Sequence, residues 1–88
     1  MFKYALYAWR SDDEGGIGIC EYNKFTPDTG YQRYSGPWAR PSKLIGGFNT
    51  IDEAVKLTDG DLDVEEAKYM LYCYHYDRQE YDLASLYE

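Results

Sequence analysis

This chain predicts a small α+β domain: an antiparallel sheet of about four to five strands, with one or two short helices packed on one face. Three observations predict it. Residues 2–22 hold two apolar, alternating runs separated by a glycine-bearing turn, the pattern of a hairpin. Thr50 stands three residues before Glu53, the spacing of a capping box, and opens a helical stripe. Residues 69–76 are dense in aromatic side chains, which favour strands. At 88 residues the length supports one domain covering residues 1–88, and a chain this short buries only about 60% of its unfolded surface.

The elements follow in order. Residues 2–10 alternate, with Phe2, Tyr4, Leu6 and Ala8 on one face and Lys3, Ala5, Tyr7 and Trp9 on the other. Both faces are largely apolar, so the strand is expected to be central. Residues 11–16 form a turn cluster ending in two glycines, and residues 17–22 return, with Lys24 and Phe25 as an extension. Pro27, Asp28 and Gly30 mark a second turn, and residues 31–34 could pair behind it. Pro37 and Pro41 make residues 36–42 irregular. Residues 43–48 suggest a brief strand interrupted by Gly46 and Gly47. Ile51–Leu57 is the clearest helix: Asp52 and Glu53 complement the dipole of its first turn, Ile51, Ala54 and Val55 form its buried stripe, and Gly60 can end it.

The last third admits two readings. Asp63 and Glu66 repeat the capping-box spacing, and Val64, Ala67, Leu71 and Tyr74 recur at helical intervals. Aromatic residues lose χ1 freedom in a helix, however. The favoured reading is a single helical turn at residues 64–68, then a strand, a turn at 77–80 and a returning strand at 81–87. The alternative is one helix over 64–76 with a tyrosine stripe outside.

The formal net charge is −7, from 16 acids and 9 bases. Residues 1–50 hold five acids and six bases, and residues 51–88 hold eleven acids and three bases, so the excess lies in the last 38 residues. Such a field repels nucleic acid and anionic lipid and attracts basic protein surfaces. There is no apolar run of about 18 residues to span a membrane, and residues 1–10 are too polar for a signal sequence. Two cysteines, Cys20 and Cys73, are too few for a secreted disulfide framework. A reduced, cytoplasmic protein is therefore expected, although these two thiols could pair.

No constellation points to catalysis. Asp59, Asp61 and Asp63 alternate like the start of a calcium loop, but Val64 and Met70 stand where such a loop needs Gly and Glu. A solvated acidic turn is the better reading, and no metal or cofactor is expected. Cys73 and His75 on one strand face would be too far apart for direct proton transfer. The glycines at 15, 16 and 18 lack the lysine and the helix of a phosphate loop. Residues 31–43 mix Tyr, Trp and Arg as a nucleic-acid contact would. Yet the remaining chain, without that segment's three bases, carries about −10, and the same residue types dominate protein-binding hot spots.

Eleven tyrosines are the most unusual feature, more than a core this small can hide. On a strand, Tyr72, Tyr74 and Tyr76 would share a face with Met70: core if packed on the helix, an aromatic docking strip if exposed. In size and composition the chain resembles the small acidic proteins of phage and mobile elements that block host enzymes acting on nucleic acid, the anti-CRISPR and antirestriction proteins. No motif accompanies that resemblance. It implies a non-enzymatic binding protein that engages a basic protein surface as a nucleic-acid mimic. Asp59, Asp61, Asp63, Glu65 and Glu66 would supply the charge, and Tyr69, Tyr72 and Tyr76 the anchors. The alternative is an intracellular interaction module that forms a homodimer through a sheet edge or the tyrosine face.

Overall fold

β1 (Tyr4–Ser11) and β2 (Gly15–Glu21) form the expected hairpin, antiparallel, with Tyr7 opposite Gly18 and Trp9 opposite Gly16. The structure, a computed structural model, describes residues 1–11, 14–29 and 39–88, with the side chains of Ser11 and Ala39 excepted. The chain divides into two compact units, Met1–Gly47 and Phe48–Glu88.

The first unit is built on a three-stranded antiparallel sheet in the order β2-β1-β3, where β3 is Ala39–Phe48. β1 is central, as its two apolar faces require: its adjacent residues Ala5 and Leu6 point to opposite faces and are both fully buried. The rings of Tyr7 and Trp9 lie over glycines of the neighbouring strand. A Cβ on Gly18 would stand 2.5 Å from the Tyr7 ring, and one on Gly16 2.7 Å from the Trp9 ring. These two glycines are therefore small because aromatic side chains cover them.

After β2 the chain forms a 3-10 turn at Tyr22–Lys24 instead of extending the strand. The second turn is formed as expected, with Thr29 N–H donating to the Thr26 carbonyl at 2.9 Å. The expected strand at 31–34, and residues 36–38 of the expected irregular stretch, lie outside the described residues. Arg40, Pro41 and Ser42, expected to be irregular, belong to β3. Proline is tolerated there because β3 is an edge strand and Pro41 is exposed. Ser42 ties this edge to the turn, its N–H donating to the Pro27 carbonyl at 2.8 Å and its hydroxyl to the Thr29 carbonyl at 2.5 Å. Gly46 and Gly47 do not interrupt the strand. Among the described residues there are three strands, fewer than the four to five expected.

The second unit is helical. α1 (Ile51–Leu57) starts on the capping box: Thr50 Oγ1 accepts from Glu53 N–H at 3.3 Å, and Glu53 Oε1 accepts from Thr50 N–H at 3.1 Å. Ala54 is fully buried, with Ile51 and Val55 partly so. α1 ends at Thr58, after which Asp59 (φ 52°) and then Gly60 (φ 102°) take left-handed conformations. The Thr58 hydroxyl donates to the Val55 carbonyl and accepts from Leu62 N–H, both at 3.1 Å, which seats the buried Leu62.

Residues 69–76 correct the strand reading. α2 runs unbroken over Val64–Asp77. Its capping box is complete, Asp63 Oδ1 accepting from Glu66 N–H at 2.8 Å and Glu66 Oε1 from Asp63 N–H at 3.4 Å. Ala67, Leu71 and His75, four residues apart, form its buried line. The χ1 penalty for an aromatic residue in a helix is about half a kcal/mol. Burying Leu71 alone contributes about 1.5–3 kcal/mol, and the cap adds about 1. The turn at 77–80 is formed, but residues 81–87 also fold helically, as α3 (Tyr81–Ala84) and a 3-10 turn, Ser85–Tyr87. Three α-helices thus stand where one or two were expected.

Candidate partner-binding surface

The α2 register decides which side chains meet a partner. With Ala67, Leu71 and His75 turned inward, residues 65, 69, 72 and 76 fall on the opposite side of the helix. Tyr69 is 61% exposed and Tyr76 50%, while Tyr72 is half-buried between them. Tyr72 and Tyr76, one turn apart, stack with ring centroids 5.6 Å apart, and Tyr81 from α3 meets Tyr76 edge-on at 5.1 Å. Helical geometry thus separates the residues a strand would have aligned: Tyr74 and Met70 are half-buried and do not belong to this strip.

The acidic side chains divide by task. Asp63 and Glu66 hold the reciprocal cap of α2, so their carboxylates are structural first. Asp59 and Asp61 stand exposed in the connection between α1 and α2, and Glu65 is exposed on the first turn of α2. None of these five carboxylates forms an ion pair among the described residues. All eight side chains expected to bind a partner therefore lie in the second unit, whose eleven acids and three bases leave it at −8. Among the described residues no group of three or more His, Cys, Asp or Glu is placed to hold a metal ion.

Sequence reasoning missed the other wall. Tyr87 and Glu88 face Glu65, Lys68, Tyr69 and Tyr72 across a groove of about 420 Å³. Read as a strand, residues 81–87 could not supply this wall; the 3-10 turn brings them beside α2. Tyr87 is fixed from behind, stacked nearly parallel on the His75 ring at 5.8 Å. His75, only 4% exposed, is held by Glu80 Oε1, 3.0 Å from its Nδ1, and Arg78 Nε donates to the same oxygen at 3.1 Å. The Glu80 carboxyl is pushed below its ordinary range by the hydrogen bond to His75, then by Arg78, against an opposing effect of burial. The Tyr69 phenol is pushed up mainly by its hydrogen bond to Cys73. The Tyr72 phenol is pushed up by burial and by the nearby Glu88 charge. Cys20 and Cys73 are both free thiols, and burial raises the Cys20 pKa, with Glu21 adding to it.

Comparison with known protein families, curated proteins and solved structures finds no match for this chain. No helix among the described residues is long and apolar enough to cross a membrane.

Proposed function

We propose that the chain is a non-enzymatic, cytoplasmic binding protein whose acidic helical unit engages a basic protein surface. On this reading it inhibits a nucleic-acid-processing enzyme by occupying the channel meant for DNA or RNA, in the manner of anti-CRISPR and antirestriction proteins. One observation carries the reading. The whole negative excess lies in residues 48–88, where Asp59, Asp61 and Glu65 make no ion pair among the described residues, and Glu65 lines one groove with Tyr69 and Tyr72, the latter stacked on Tyr76. Unpaired carboxylates steer a cationic partner from a distance, and aromatic rings supply contact area at low entropic cost. The exposed residues 40 and 43 of β3 do not offset such a field, so direct nucleic-acid binding is disfavoured.

The test uses a nucleic-acid-processing protein captured on the full chain. Adding the chain is expected to displace its DNA or RNA, with an affinity that falls steeply between about 0.05 and 0.2 M salt. Asp59→Lys with Asp61→Lys is expected to abolish binding without touching the α2 cap. Binding that is indifferent to salt and survives this double change overturns the mimicry. A dimer persisting in light scattering at about 0.5 M salt would support self-association through the tyrosine face or a sheet edge instead.

A further inference from the structure

The groove between α2 and the C-terminal 3-10 turn is a formed site with its own chemistry. Three phenol rings line it, from Tyr69, Tyr72 and Tyr87, and two carboxylates, Glu65 and Glu88, stand beside them. Its walls are held in advance. Tyr72 stacks on Tyr76, and Tyr87 stacks on the buried imidazole of His75. Glu65 and Glu88 form no ion pair among the described residues, and the Glu88 charge reaches the Tyr72 phenol. Aromatic faces beside uncompensated carboxylates attract a cation through both the ring quadrupole and the full charge. An arginine side chain fits best, because its flat guanidinium stacks on rings while its N–H groups fork toward carboxylates.

We propose that this groove receives the guanidinium of a single arginine presented by the basic partner. The inference rests on the reading above and adds to it the anchor point and the residue type that fills it. Lys68 lines the same groove with its own positive charge, so replacing it by a neutral residue is expected to tighten the site.

The test is an NMR titration of the full chain with N-acetyl-L-arginine amide, and with the neutral isostere N-acetyl-L-citrulline amide beside it. Arginine is expected to shift the ring signals of Tyr69, Tyr72 and Tyr87 with a dissociation constant in roughly the millimolar range, and citrulline to leave them in place. Glu65→Gln with Glu88→Gln should weaken arginine about three- to tenfold, and Lys68→Gln should strengthen it about two- to threefold. Tyr72→Phe should keep the site and Tyr72→Leu lose most of it. Equal shifts from arginine and citrulline overturn the inference, as do shifts at Asp59 and Asp61 as large as those in the groove. The two readings fail separately. A partner that ignores Glu65→Gln with Glu88→Gln but is lost with Asp59→Lys and Asp61→Lys removes the groove and leaves the mimicry. Specific arginine binding without any basic partner does the reverse.

Discussion

Gln79 holds a left-handed conformation at φ 62°, one that residues with a Cβ adopt at a cost. It does so because α2 ends in a Schellman motif: Gln79 N–H donates to the Tyr76 carbonyl and Glu80 N–H to the His75 carbonyl, each at 2.9 Å. Glycine fits that place better. Gln79→Gly is expected to stabilise the fold by about 0.5–1 kcal/mol, the relief of strain less the added flexibility of the unfolded chain, as read from the midpoint of urea unfolding. The next residue carries a pH dependence. The Glu80 carboxyl titrates below its ordinary value of 4.5 in the folded chain. Its stabilising effect is therefore complete above 4.5 and is lost as the pH falls through the lowered folded value. Glu80→Gln keeps an acceptor for His75 but removes the charge. The stability gap between the two chains should stay constant at neutral pH and close as acid is added below 4.5, which a series of urea melts would show.

α2 shows which local signals govern an element. Its ends were written in the sequence: Asp63 and Glu66 at capping-box spacing, and a turn at 77–80. Its interior was ambiguous because side-chain composition and periodicity disagree between residues 69 and 76. Periodicity wins, since the line of Ala67, Leu71 and His75 can be buried by a helix and not by a strand. The same choice determined how much of the candidate surface could be foreseen. Asp59, Asp61, Glu65, Tyr69 and Tyr76 are exposed and Tyr72 is half-buried, which for the tyrosines decides between the core and the docking strip that the sequence left open. The structural duty of Asp63 and Glu66 is implicit in the spacing itself. Tyr87 and Glu88 depended on a helical turn that residues 81–87 do not announce, having neither a cap nor a long apolar stripe. In the first unit the hairpin was plain from alternation, whereas Pro41 hid the start of β3. Asp63→Ala should cost about 1 kcal/mol in equilibrium unfolding, and Asp61→Ala, an uncapped neighbour, less than about 0.5.

The division of the chain into two units coincides with its division by charge, +1 for Met1–Gly47 and −8 for Phe48–Glu88. Like charges gathered on so few residues repel one another in the folded state. Added salt screens that repulsion and should raise the melting temperature by a few degrees between about 0.02 and 0.2 M. Over the same interval it should weaken the grip on a basic partner. Opposite responses of stability and affinity to one variable would mark the acidic unit as strained for its task, a pairing that calorimetry and binding titrations can measure on one sample.

The rim of β3 has a consequence for how the protein behaves when crowded. Ser42 has already committed its N–H to Pro27 and its hydroxyl to Thr29. An incoming strand finds that rim obstructed at this point, and the other edge of the sheet among the described residues is β2. There the run of Gly15, Gly16 and Gly18 makes a poor template for cross-β stacking.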